Sequence, residues 1–171
     1  MTPEQYWQNN SSLEHITPPG ERFPEQGLFN ALQNAVSGCV CEFGCGDGRL
    51  AAAFNPKAYA GYDINCHALA AAQKANPDHL FLSELVPANT ILAYTVLLHI
   101  PDDEIESVIE QFLPYKRIVI GEIMGRQWRR PGNPPVFNRD LEEYVEMIGR
   151  QYSVMEIPYP RYGSNLELII C

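Results

Sequence analysis

Positive charge is scarce in this chain. Twelve Lys and Arg stand against 21 Asp and Glu, a formal net charge of −9. Such a field repels phosphate backbones, so bulk nucleic-acid binding is disfavoured. No apolar run approaches the length needed to cross a bilayer, and the opening MTPEQYWQNN lacks the apolar core of a signal peptide. The expectation is a soluble, cytoplasmic protein with no membrane contact. The cysteines (Cys39, Cys41, Cys45, Cys66 and Cys171) include no C-x-x-C pair. Cys39 and Cys41 fall in a predicted buried strand, so thiols in a reducing compartment are expected rather than a metal site. Internal repeats and low-complexity tracts are also missing.

What is present suits one domain. The chain has 171 residues, 46% of them hydrophobic and 19% charged, enough to bury a core and too apolar for disorder. Residues 1–24, with several Pro, Asn and Ser, read as an N-terminal arm or lid, and 25–171 as the domain itself. From Glu25 to Ser37 the residues Leu28, Phe29, Leu32 and Val36 recur at helical spacing. CVCEF (39–43) reads as a short buried strand, Arg49 to Phe54 as a helix, and AYAGYD (58–63) as a second strand. Asn65 can cap a helix that Asn76 and Pro77 close. HLFLS (79–83), NTILAYT (89–95) and KRIVIGEI (116–123) are further strands. Asp102 is the natural N-cap of a helix whose inner face is Ile105, Val108, Ile109 and Phe112. A helix is expected from about Arg139 to Gly149. YSVMEIPY, a turn at PRYGSN and LELIIC form a closing antiparallel hairpin.

Strands alternating with helices, each strand a near-continuous apolar run, predict an α/β fold. The expected sheet is doubly wound, seven-stranded, mostly parallel and Rossmann-like. One link, SELVPAN between the third and fourth strands, is too short for a full crossover helix.

In such a sheet, ligands lie at the carboxyl ends of the strands, where the strand order reverses. The turn after the first strand carries Gly44, Gly46 and Gly48 behind Glu42. Glycines there permit positive φ and let a ligand approach the backbone. A dinucleotide turn, G-x-G-x-x-G, would need glycine at position 49, where Arg49 stands. A carboxylate at Glu42 suits a cationic ligand better than a pyrophosphate.

The pattern E-x-G-x-G-x-G resembles the first motif of the class I S-adenosylmethionine-dependent methyltransferases, and the resemblance covers about 25–171. It implies S-adenosyl-L-methionine as cofactor and S-adenosyl-L-homocysteine as product. The glycine loop would lie under the cofactor's methionine and ribose, with Glu42 anchoring the amino-acid end. Asp63, 21 residues on at the end of the second strand, matches the acid that takes the ribose hydroxyls. Ile64 after it can line the adenine pocket. Ser83, Glu84 and Leu85 stand where the family meets the adenine. Tyr94 and Thr95 begin the segment that passes the cofactor and reaches the substrate. Tyr6 and Trp7 on the arm would fold over the cofactor as a lid, where aromatics can contact a sulfonium. Arg22 can reach its carboxylate.

For catalysis, His99 is placed to take a proton from a hydroxyl or amine near neutral pH. Glu122, ending the fifth strand, is a second candidate base. Arg126, Arg129 and Arg130, with Trp128 between them and Arg139 close behind, can receive an anionic group of the acceptor. The segment Ala93-Tyr94-Thr95-Val96 lacks the paired prolines with which base-modifying members grip an amino group. A small-molecule acceptor, methylated on O or N, is therefore expected. The alternatives are a macromolecular acceptor reached with a partner protein, a cofactor-binding module without catalysis, and a nicotinamide-dependent oxidoreductase.

Overall fold

The computed structural model describes residues 2–12, 26–132, 134–159 and 164–171. Its centre is a seven-stranded sheet. In chain order the strands are β1 (Val40–Phe43), β2 (Tyr59–Tyr62), β3 (Leu80–Leu82), β4 (Thr90–Tyr94), β5 (Arg117–Glu122), β6 (Ser153–Tyr159) and β7 (Ser164–Ile170). Their spatial order is β3-β2-β1-β4-β5-β7-β6. The first five pair in parallel. β7 runs antiparallel to both β5 and β6. The strand order therefore reverses between β1 and β4, and the crevice of such a fold opens there.

The helices are α1 (Pro3–Asn9), α2 (Gln26–Ala35), α3 (Cys66–Ala75), α4 (Ile105–Glu110) and α5 (Leu141–Ile148). Successive strand residues face opposite sides, and each side of the sheet has its own core. Val40, Leu92, Tyr94 and Val119 pack with Leu28 and Leu32 of α2. Cys41, Phe43, Ile91 and Ile118 pack with Ile109 of α4 and Tyr144 of α5. Burial on both faces is the reason these strands read as apolar runs rather than alternating ones.

Several local expectations are corrected. The helix expected over Arg49–Phe54 is only a 3-10 turn, Ala51–Ala53. Pro56 disfavours helical backbone in the residue before it, and Asn55 instead caps a second short turn, Pro56–Ala58. Asp102 does not cap α4, whose N-cap is Glu104. Cys39 lies one residue before β1 and is exposed, whereas Cys41 is buried in the strand. The arm boundary at 24/25, Arg22 and most of the PRYGSN turn lie outside the described residues.

The short link 83–89 does run without a helix. It must cross back over β2 and β1 to start β4, and it does so against the core, with Leu85, Val86 and Ala88 packed on the α4 and α5 side. The Tyr115 hydroxyl donates to Val86 O at 2.9 Å, fastening the link where a crossover helix would otherwise cover the sheet. Tyr115→Phe should lower stability by about 1 kcal/mol, read as a shift of the urea midpoint. An unchanged midpoint would mean that this bond does not hold the link.

Candidate cofactor and active site

The turn after β1 takes its shape from alternation. Gly44, Gly46 and Gly48 all have positive φ, at 72°, 55° and 78°. An L-residue is strained at each of these positions. Gly44 and Cys45 both donate their amides to Tyr62 O, at 2.8 and 2.9 Å, which pins the turn to the end of β2. A Cβ on Gly44 would fall 2.3 Å from Val96, so this glycine lets the turn close on the segment after β4. Gly48 serves the scaffold: a Cβ there would meet Asn76, Ala72 and Phe81 at 2.9 to 3.1 Å, against α3.

Asp63 receives the turn from the other side. Its Oδ2 accepts from the Gly46 amide and its Oδ1 from the Asn65 amide, both at 2.8 Å. Burial raises its pKa, while those two amides and that of Ile64 pull it down. Glu42 is buried, and its Oε2 accepts from the Tyr59 hydroxyl at 2.5 Å. Burial pushes its carboxyl up to about 7, against the opposing effects of Tyr59 and the positive charge of Arg49.

Arg49 is a residue that sequence reasoning noted only for not being glycine. Its Nη2 donates to Thr95 Oγ1 at 3.0 Å, and its guanidinium lies 5.0 Å from the centre of the Tyr94 ring. It thus spans from the β1 turn to the end of β4, across the reversal in strand order. Thr95 has positive φ, 51°, and marks the sharp exit of the chain from β4. Tyr94 belongs to the core beneath it, so Thr95 rather than Tyr94 is the polar group at this strand end.

The arm comes to the same edge. Trp7 packs on the His99 imidazole with ring centroids 4.4 Å apart, and Tyr6 stands edge-on to Trp7 at 5.3 Å. Asn65 holds the arm: its Nδ2 donates to Trp7 O and Asn10 O, both at 2.8 Å. The same side chain caps α3 by accepting from the His67 and Ala68 amides. The sequence revealed only the cap, because the partners of the clamp lie more than fifty residues away. Trp7 Nε1 is buried with no acceptor among the described residues. Such an orphan donor, on an arm that Asn65 clamps and His99 packs against, fits a polar ligand lying between arm and strands.

The remaining expected residues divide. Ile64 is exposed beside Asp63. Ser83 and Glu84 are exposed after β3, while Leu85 turns into the core. Glu122 is 1% exposed. Its Oε1 accepts from the Val96 and Leu97 amides at 3.0 and 2.7 Å, and burial pushes its carboxyl up to about 8. Most of the cationic cluster forms ion pairs within the chain. Arg126 pairs with Glu143, and both Arg129 and Arg139 pair with Asp102. The bonds from Arg129 hold the Asp102 carboxyl below its usual range. Of the three arginines expected to meet an anionic acceptor, Arg130 alone stays outside these pairs and is exposed. Among the described residues no group of His, Cys, Asp and Glu is placed to hold a metal ion, and no helix is long and apolar enough to cross a membrane.

A crevice at the strand-order reversal, floored by a glycine turn and flanked by a strand-end carboxylate, defines an α/β enzyme that handles a nucleoside-bearing cofactor. Residues 13–115 match a family described as "Methyltransferase domain". That is more than half of the chain: it belongs to this methyltransferase family, whose cofactor is S-adenosyl-L-methionine. No curated protein matches the sequence. Solved structures share the fold at low identity. The N-methyltransferase NodS from Bradyrhizobium japonicum, in complex with S-adenosyl-L-homocysteine, has a TM-score of 0.70 at 14% identity, over 96% of each chain. An S-adenosylmethionine-dependent methyltransferase from Leishmania major has a TM-score of 0.72 at 12% identity, over 98% of this chain and 80% of that one. The magnesium protoporphyrin IX methyltransferase ChlM from Synechocystis, with S-adenosyl-L-homocysteine bound, has a TM-score of 0.63 at 15% identity, over 84% of this chain and 77% of that one.

The buried carboxyls set a pH dependence. The pKa values of Glu42 and Glu122 rise from 4.5 to about 7 and about 8 in the fold, so between pH 4.5 and 8 the unfolded chain holds fewer protons than the native one. Stability is then fully present below pH 4.5 and lost as pH rises toward 8, by up to about 1.4 kcal/mol per pH unit for each carboxyl. Urea unfolding should give a higher free energy at pH 5 than at pH 8.5, and Glu122→Gln should flatten that slope. A stability that rises over this interval would contradict the assignment.

Proposed function

We propose that the protein transfers a methyl group from S-adenosyl-L-methionine to an oxygen or nitrogen of a small-molecule acceptor. The observation that carries this reading is the arm drawn over the strand ends, with Trp7 on His99 and its backbone held by Asn65. An arm seated against the turn after β4 favours an acceptor small enough to lie beneath it over a polymer surface. Two further facts support it. The net charge is −9, and Arg126, Arg129 and Arg139 are spent on internal carboxylates, so little positive charge remains to attract a phosphate backbone. One of the similar structures is itself named for a porphyrin acceptor.

When bound, the cofactor supplies an electrophilic methyl group on a positively charged sulfur. The chain's own residues do the rest. Asp63, its orientation fixed by Gly46 and Asn65, accepts from the ribose hydroxyls. Glu42 and Arg49, before and after the glycine turn, would meet the amino and carboxylate ends of the amino-acid moiety, Glu42 as a hydrogen-bond acceptor and Arg49 as a cation. The Trp7 ring packs on one side of the His99 imidazole. His99 takes the proton released by a hydroxyl or amine acceptor as its oxygen or nitrogen is methylated. Alignment supplies much of the acceleration, since transfer to a good nucleophile demands a near-linear approach above all.

The acceptor class is tested by incubating the protein with methyl-labelled S-adenosyl-L-methionine and a cell extract divided by dialysis. Label should enter the dialysable metabolites. Label in the retained protein or nucleic acid would overturn the small-molecule assignment. Label in neither fraction, from protein that binds S-adenosyl-L-homocysteine, would point to a module without catalysis.

A further inference from the structure

The chain from Val96 to Asp102 carries His99 to the arm, yet it has little regular structure of its own, only the 3-10 turn Leu97–His99. Two side chains from outside the segment hold its backbone. Glu122, at the end of β5, accepts the Val96 and Leu97 amides on Oε1, at 3.0 and 2.7 Å. Arg139, just before α5, donates Nη1 to Leu97 O at 3.1 Å and Nη2 to Ile100 O at 2.7 Å. Its Nη2 also meets Asp102 Oδ1 at 2.8 Å. The peptide units flanking Leu97 are therefore gripped at the N–H by an acid and at the C=O by a guanidinium. Phe137 adds a backbone bond to Leu98 O.

Glu122 and Arg139 are 1% and 2% exposed. Burying two ionisable groups is expensive, and an apolar pair of the same volume would generally serve stability as well. What an apolar pair cannot do is fix amides and carbonyls at set positions. The Glu122 Oε1 is occupied by the two amides, and its Oε2 is buried without a partner among the described residues. Burial raises its pKa, against the lowering effect of the amides it accepts and of the Arg139 charge, and it is the accepting Oε1 that holds both amides.

We infer that Glu122 and Arg139 are a positioning pair that sets the His99 turn against Trp7, and so fixes where the acceptor meets the imidazole. Neither touches the acceptor. This rests on the reading of His99 as the acceptor-side residue, but the test needs no acceptor. Glu122→Gln keeps an accepting oxygen in place, whereas Glu122→Met keeps the length and removes it. Amide hydrogen exchange at Val96 and Leu97 reads the grip. The ring-current displacement of the His99 imidazole signals by Trp7, assigned with His99→Gln, reads the position.

Glu122→Gln should leave both as in the wild type. Glu122→Met should lower protection of the two amides by about tenfold or more, the loss expected for one such bond, and should abolish the His99 displacement while the amides of β1 stay protected. A Met variant that keeps the displacement overturns the inference. So does a Gln variant that loses it, because charge rather than acceptance would then be required. If the Met variant does not fold, the Gln variant decides alone in the same way. Titration with S-adenosyl-L-homocysteine keeps the two readings apart. Wild-type protein that fails to bind it, yet shows the gripped turn, sinks the function and leaves the positioning pair standing.

Discussion

The carboxylate of Asp63 is the joint on which the site depends. One oxygen fixes the glycine turn through Gly46, and the other fixes the backbone of Asn65. Through Asn65 that constraint reaches α3, which the side chain caps, and the arm, which it clamps at Trp7 and Asn10. Three segments far apart in sequence thus take their positions from one acid at the end of β2. Its burial raises the pKa and the amides lower it, as suits a group kept ready to accept further hydrogen bonds from a ligand.

A second constraint meets the first through aromatic contact. The Trp7 ring, on an arm held by Asn65, lies on the ring of His99, in a turn held by Glu122 and Arg139. The arm and the turn after β4 therefore share one contact. Among the described residues the helix after β1 is reduced to a three-residue turn and the link 83–89 has no helix, and the arm is the element that packs on His99.

Much of this was legible in the sequence. The sheet could be read because strands buried on both faces write themselves as apolar runs. The glycine turn could be read because its positive φ values demand glycine at alternate positions. The place of Asp63 could be read because the apolar run AYAGY, which holds β2, ends just before it. What escaped was long-range pairing. Asp102 had the local look of a helix cap, yet its partners Arg129 and Arg139 come 27 and 37 residues later. Arg126 and Arg129 had the look of an anion site, and nothing local showed that Glu143 and Asp102 pair with them. Arg49 and the contact of Trp7 with His99 left no periodic trace at all.

The central claim is that Asp63 and the glycine turn hold an adenosyl sulfonium cofactor. Isothermal titration with S-adenosyl-L-homocysteine tests it most directly, on the wild-type protein and on Asp63→Ala side by side. The account predicts one site per chain and an affinity for the variant lower by roughly 30-fold or more, the cost of about 2 kcal/mol in lost charge-assisted bonds. Absence of binding to folded wild-type protein, or equal affinity for both, would contradict it.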